Sequence, residues 1–487
     1  MNTRKFTILH SNDMHGDFLA EARGAEGNLI GGLGLLSGYI NQVRRQEENV
    51  LFVIAGDMVQ GSMIDSEYKG ISTMEIMNYL APDVVTLGNH ELDYGLAHLL
   101  FLEKMANFPI INANLYIKLY NRRLMRPFHI INKAGLSILF IGIITESVLD
   151  KLKLDGDIGT FVSLQEASAE VGKICNAYRS DDIDLTILLT HIGFDSDKEL
   201  AALLQPEWGV DAIIGGHSHT ILEHPERVNN VLIVQAGTGT DQIGRFDVIV
   251  DDDTNRIIEY TWKLVPIDSN IAEPDADLQA FIDSFSEQVD RKYNSMVTRL
   301  AQQLTHPRRE EETALGNLFS DIWAERSGAD FMLVGSGSIR QPVLGPVVTL
   351  GNLRTIYPYD GPLFRTTVTG ADLKRAFSHW MRPENRNSEG ECYQVNRSVR
   401  AVYNNNSMQL DTLTFDGRPV QHDGRYKLCL QDYHLKNAQK FFGLTDADLN
   451  AFDGPTVVAT SSRDVLEEYL RRHQLLNSAV EGRLVYV

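Results

Sequence analysis

Little in this chain could cross-link it, thread it through a membrane or bind it to a polyanion. Only three cysteines occur in 487 residues, at positions 175, 392 and 429, without a Cys-x-x-Cys pair. They exclude a disulfide frame and point to free thiols in a reducing compartment. The longest apolar run, 136–145, is half of what a membrane-spanning helix needs, so no span is expected. Arg4 and Lys5 precede only the short stretch Phe6 to Leu9 before the polar His10 to Asp13. That is too short for the core of a signal peptide, and a cytoplasmic location is the expectation. Basic charge is scarce as well: 45 Lys and Arg stand against 65 Asp and Glu, a net charge of −20. Such a surface repels a phosphate backbone, so a long nucleic acid is not an expected partner, whereas a small phosphate ester held by metal ions remains open.

What the chain does contain is an ordinary globular composition, 43% hydrophobic and 23% charged. Its length exceeds what one core usually serves. Apolar runs at 6–9, 51–55, 84–87, 136–144, 185–190 and 210–214 read as strands, with further strands near 231–235 and 244–250. Helical patterns separate them, one over 35–43 and others opened by capping-box pairs at Ser72/Glu75, Ser163/Glu166 and Ser196/Glu199. Strand, helix, strand implies parallel strands joined by crossovers, an α/β domain over 1–270. Leu278, Phe281, Ile282, Phe285 and Val289 trace one apolar stripe, which reads as a connecting helix within 271–299. A second domain, 300–487, has its own alternation: a helix opening at Gly316-Asn317, a strand 331–334, a Gly/Ser loop 335–338, a strand 364–368 and a helix after Gly370.

Chemistry gathers where the strands of the first domain end. Those ends supply Asp13 and His15, Asp57, Asn89 with His90 and Asp93, His191, and His217 with His219. Any one of them alone reads as a turn former or a surface imidazole, and His98, His129, His224, His306, His379, His422, His434 and His473 are given that reading. Five ends together differ, because packing alone does not require ligand-type residues at the same end of each strand. Imidazole and carboxylate together suit borderline divalent metals, and a two-ion site needs a carboxylate that touches both. Asp57 is the candidate bridge, and Asn89 a neutral oxygen ligand.

Asp13-x-His15, Gly56-Asp57, Gly88-Asn89-His90-Glu91, His191 and Gly216-His217-x-His219 together resemble, in order, the motif set of calcineurin-like metallophosphoesterases. Their longer forms look like the branch containing 5′-nucleotidases and bacterial UDP-sugar hydrolases. Leu315-Gly316-Asn317-Leu318 and Gly337-Ser338-Ile339-Arg340 resemble that branch's C-terminal substrate domain. The resemblance implies a helix-flanked β-sandwich joined by a helix to a smaller α+β domain. It implies two divalent ions, Zn, Mn, Fe or Co, one held by Asp13, His15, Asp57 and His219, the other by Asp57, Asn89, His191 and His217. His90, paired with Asp93, would act on the phosphoryl group. Arg340 and Tyr359 match substrate-binding positions, and Tyr433 is matched to a second base-stacking aromatic; core packing is the competing reading for both tyrosines. The family's Asn-Gly-Gly-Gly-Ile-Arg appears here as Gly335-Ser336-Gly337-Ser338-Ile339-Arg340, without the asparagine. Where a Gly-Gly-Asp is expected after Tyr433 the chain has Lys436-Asn437-Ala438-Gln439. The implied activity is hydrolysis of a small phosphate ester, a nucleoside 5′-phosphate or nucleotide sugar. The alternatives are a 2′,3′-cyclic-nucleotide phosphodiesterase and a metal-stabilised binder without turnover.

Overall fold

The computed structural model describes residues 3–23, 28–117, 120, 122–145, 160–161, 163–178, 183–251, 253–386 and 392–487. The chain divides into two compact units, Met1–Val289 and Asp290–Val487. In the first, strand Thr3–Ser11 lies between a parallel neighbour, Val50–Ala55, and an antiparallel one, Gln242–Asp251. Val84–Thr86 and Ile110–Ile111 extend the parallel side and Arg256–Pro266 the other, making a six-stranded sheet. A second six-stranded sheet sets Leu136–Ile144, Leu185–His191, Val210–Ile214 and Val231–Val234 parallel, with Phe128–Lys133 and Glu226–Val228 as antiparallel edges.

Residue alternation assigns the faces of this sandwich. Ile138 and Phe140 join Phe6, Ile8, Leu51, Val53 and Phe246 in the core between the sheets. Their neighbours Leu139, Ile141 and Ile143 face the other way, onto Val171, Ile174 and Leu200 of helices Leu164–Ala177 and Phe194–Leu203. A strand covered on both faces has no polar side to show, so it needs an unbroken apolar run. Each side chain buried this fully contributes about 1.5–3 kcal/mol.

The helices do not all begin where capping boxes place them. Ser163 is a cap: its Oγ accepts the Glu166 N–H while Glu166 Oε2 accepts the Ser163 N–H at 2.8 Å. Ser72 and Ser196 are not caps, since they sit inside the first turns of Ile71–Leu80 and Phe194–Leu203. Gly70 (φ 81°) and Gly193 (φ 89°) open those helices, as Gly32 (φ 80°) opens Leu33–Gln46. A chain entering a helix through positive φ favours a residue without Cβ, and that demand overrides a side-chain cap worth about 1 kcal/mol.

Helix Ala276–Tyr293 buries Leu278, Ile282 and Val289, and sets Phe281 and Phe285 against Tyr79 and Tyr68. In the second unit, helix Ala314–Ser327 is capped by Thr313, whose Oγ1 accepts the Gly316 N–H at 3.0 Å, so it opens before Gly316. Its five-stranded sheet runs Tyr393–Val395, Phe331–Gly335, Arg425–Gln431, Leu363–Thr369, Thr456–Ala459, and only Phe331–Gly335 with Arg425–Gln431 is a parallel pair. A separate four-stranded sheet contains Gln409–Phe415 and Val399–Asn404. This unit is therefore α+β.

Candidate functional site

Parallel strands of one sheet end on the same side, and both sheets of the first unit deliver their ends to one place. Among the described residues, three overlapping groups of side chains bring their ligand atoms within 4.8 Å of one another: Asp13, His15 and His219; His15, Asp57 and His90; Asp57, His191 and His217. His15 Nε2 lies 3.2 Å from His219 Nε2, and Asp13 Oδ1 is 3.3 Å from His219 Nε2. Asp57 Oδ2 stands between His191 Nε2 at 3.0 Å and His15 Nε2 at 3.9 Å. Asn89 Oδ1 is 3.2 Å from His191 Nε2. The structure thus brings together all seven expected metal ligands, together with His90, whose Nδ1 is 2.5 Å from Asp93 Oδ2.

The donors are pre-aimed. His191, fully buried, uses Nδ1–H on the Ala55 carbonyl at 2.8 Å, which aims Nε2 at Asp57 and Asn89; burial opposes its charged form, but Asp57 outweighs burial and holds the imidazole up at about 9. Asp13 accepts from Asn12 Nδ2 at 2.7 Å and from the His217 N–H at 2.9 Å. Burial holds the imidazoles of His15 and His217 below their ordinary pKa, so both are neutral donors. Burial opposes the Asp57 carboxylate, but His191 outweighs it and holds the group at about 2. Five of these residues, Asp13, His15, Asp57, His217 and His219, have φ between 49° and 81°. Non-glycine residues are strained in that region, and such strain persists where surrounding structure over-determines it.

These groups fit divalent cations. Two imidazole nitrogens facing each other at 3.2 Å across a buried carboxylate leave lone pairs that a cation would take, and the set is the mixed N/O donor type of borderline metals.

Two acids to which the sequence assigned no role lie just behind the expected ligands. Glu91, 2% exposed, accepts backbone N–H groups from both the Asp57 loop and the Gly88 loop, and burial beside Asp57 raises its carboxyl to about 7. Asp197, fully buried, accepts the Thr190 hydroxyl at 2.6 Å, and burial lifts it to about 8. Glu91 is visible in the Gly-Asn-His-Glu string; nothing local marks Asp197.

In the second unit, Arg340, Tyr359 and Tyr433 line one cavity of about 440 Å³. The Arg340 guanidinium stands 5.8 Å from the Tyr359 ring centroid and donates to the Gly337 carbonyl at 3.3 Å. Tyr359 is 49% exposed and Tyr433 59%, which sets aside core packing for both. Gln431 on the cavity wall donates to Tyr357 Oη at 2.8 Å. His434, read from the sequence as an ordinary imidazole, also lines the cavity; it bonds Tyr393 Oη at 3.0 Å, and burial lowers its pKa to about 4.

A calcineurin-like phosphoesterase family model matches residues 6–220, and a 5′-nucleotidase C-terminal domain model matches 294–445. The chain is 27% identical to the snake venom 5′-nucleotidase of Gloydius brevicauda, over 99% of this chain and 89% of that one. It is also 27% identical to the 5′-nucleotidase of Mus musculus, over 99% and 90%. The solved 5′-nucleotidase precursor from Thermus thermophilus shares the fold at a TM-score of 0.59 and 20% identity, covering 99% of each chain.

Proposed function

The chain belongs to the calcineurin-like phosphoesterases and carries a 5′-nucleotidase C-terminal domain, and from that premise we propose that it hydrolyses a nucleoside 5′-phosphate or a nucleotide sugar at two divalent ions. The observation that carries this reading is the convergence of Asp13, His15, Asp57, Asn89, His191, His217 and His219, with Asp57 between the two histidine groups. One ion would be held by Asp13, His15, Asp57 and His219, the other by Asp57, Asn89, His191 and His217. Such cations supply Lewis acidity, acidifying a water and neutralising charge on phosphoryl oxygens.

The side chains do the rest. Asp57 uses Oδ1 to accept the His90 N–H at 2.8 Å, which turns Oδ2 toward His191 and His15. Asp93 orients His90 through Nδ1, leaving Nε2 to meet the phosphoryl group and favouring the charged imidazole as negative charge develops. Arg340 offers a fork of donors to the sugar or a further anionic group, and Tyr359 and Tyr433 offer flat faces to a base. The base-reading asparagine and ribose-binding aspartate expected by resemblance are replaced here, so stacking dominates recognition and selectivity among nucleosides is broad.

Phosphate release from a panel of nucleoside 5′-phosphates, nucleotide sugars, 2′,3′-cyclic nucleotides and sugar phosphates, with metal content measured on the same sample, tests this. Nucleoside 5′-phosphates or nucleotide sugars should lead the panel with about two ions per chain; a sugar phosphate or cyclic nucleotide in first place overturns the substrate assignment.

A further inference from the structure

Asp57 must hold one orientation for its two carboxylate oxygens to do different work, yet it sits beyond the end of its strand. Val50–Ala55 and Val84–Thr86 are hydrogen-bonded neighbours up to the pair Ala55 and Thr86. Past that point the ladder stops, and the Gly56-Asp57 and Gly88-Asn89-His90 loops continue without it. Four backbone N–H groups are left there in a dry environment, those of Asp57, Met58, Val59 and Gly88. All four point at one carboxylate. Glu91 Oε2 accepts from Gly88 at 2.6 Å and from Asp57 at 3.1 Å, and Oε1 from Met58 at 2.7 Å and Val59 at 3.4 Å. A single oxygen atom therefore joins the two loops.

The loops leave no slack for another arrangement. A Cβ on Gly88 would stand 2.2 Å from Asp57 Oδ1, and Asp57 is held at φ 54°. We propose that Glu91 is a positioning residue: its carboxylate fixes the Asp57 loop against the Asn89-His90 loop, and so sets the geometry in which Asp57 and Asn89 present their oxygens. Among the described residues its hydrogen bonds run to the loop backbones and not to either ligand atom. This rests on the reading of Asp57 and Asn89 as metal ligands.

Glu91→Gln keeps the shape but turns one double acceptor into a donor facing two N–H groups; Glu91→Asp keeps the charge but withdraws it by one methylene. Mn²⁺ is titrated by calorimetry into the metal-stripped full chain. Both variants should bind about 10- to 100-fold more weakly than wild type, the range for residues that orient ligands. Their kcat should fall with KM little changed. Glu170→Gln, at a buried acid paired with Arg123 and Lys173, controls for general destabilisation: it should lower Tm and leave Mn²⁺ affinity intact. Wild-type affinity in both folded Glu91 variants overturns the proposal and leaves the two-ion reading standing. No Mn²⁺ uptake by wild type overturns both. Hydrogen exchange on wild type, immune to misfolding of a variant, gives a third reading: the amides of Asp57, Met58 and Gly88 should exchange as slowly as those of Val53 and Val85, and rapid exchange overturns the proposal.

Discussion

The two units handle their ligand-type residues in opposite ways. In the first, Asp13, Asp57 and His191 are at most 2% exposed, are held by neighbours on nearly every polar atom, and in two cases occupy strained backbone. In the second, Tyr359 and Tyr433 stand about half in solvent around an open cavity. On the function proposed above, the difference follows from what each unit would recognise. Charge-dense cations demand fixed distances and favour rigidity, whereas a flat ring is satisfied by any parallel face. The chemistry is therefore expected to be intolerant of change and the substrate selection forgiving.

Removing divalent ions with EDTA should drive that contrast furthest. Hydrolysis should fall to background and return on adding Mn²⁺, while adenosine still binds the full chain with unchanged affinity by calorimetry. Loss of adenosine binding would merge the two functions and break the contrast. Next comes His90→Ala, for which kcat should drop about 10²- to 10⁴-fold with metal content retained. Metal lost in proportion to activity would make His90 a ligand. Tyr359→Ala should raise KM for nucleotides by roughly tenfold, within the stacking range of about 1–3 kcal/mol, and leave turnover of a small aryl phosphate unchanged. Equal effects on both substrates would remove Tyr359 from base recognition.

A separate contrast, in stability rather than in activity, concerns two buried histidines, one in each unit. Burial lowers His10 to about 3 and His434 to about 4, from an ordinary 6.5. Both are neutral when folded and take up a proton more readily when unfolded, so their contribution is fully present above pH 6.5. It is lost as pH falls through the window from 6.5 toward 3 or 4, at about 1.4 kcal/mol per pH unit per residue. His10, stacked on Trp262 with neither ring nitrogen hydrogen-bonded among the described residues, is the cleaner test. His10→Phe should flatten the decline of Tm between pH 6.5 and 4.5, and an unchanged slope would remove His10 from the acid response.

What was legible in the sequence was whatever depends on residue type at a strand end. Asp13, His15, Asp57, Asn89, His191, His217 and His219 stand out because metal chemistry restricts the donors and sheet topology restricts where they fall. What was not legible depends on partners without side-chain identity. Glu91 stands in the Gly-Asn-His-Glu string, but its partners are backbone N–H groups, which every residue but proline carries, so nothing in the letters gives its role. The helix starts at Gly70 and Gly193 escape a reading of the sequence for a related reason: positive φ is a property of the path, whereas the nearby Ser72 and Ser196 satisfy a capping rule in letters only. His434 gives no local signal either, because its partner, Tyr393, lies 41 residues away.

The strand Thr3–Ser11 has one neighbour about 45 residues downstream and the other, Gln242–Asp251, about 240 downstream. Synthesis runs from the N-terminus, so every one of the seven candidate ligands has been made before the second neighbour exists. Until Asp251 leaves the ribosome, the first strand presents a bare row of amides and carbonyls on one side, open to any passing strand. A chain stopped at residue 220 would own the complete set of ligands and still have an open flank beside two of them. During the interval between the last candidate ligand and the closing strand, the first strand's open edge can still mispair, and a nascent-chain chaperone would have a target there.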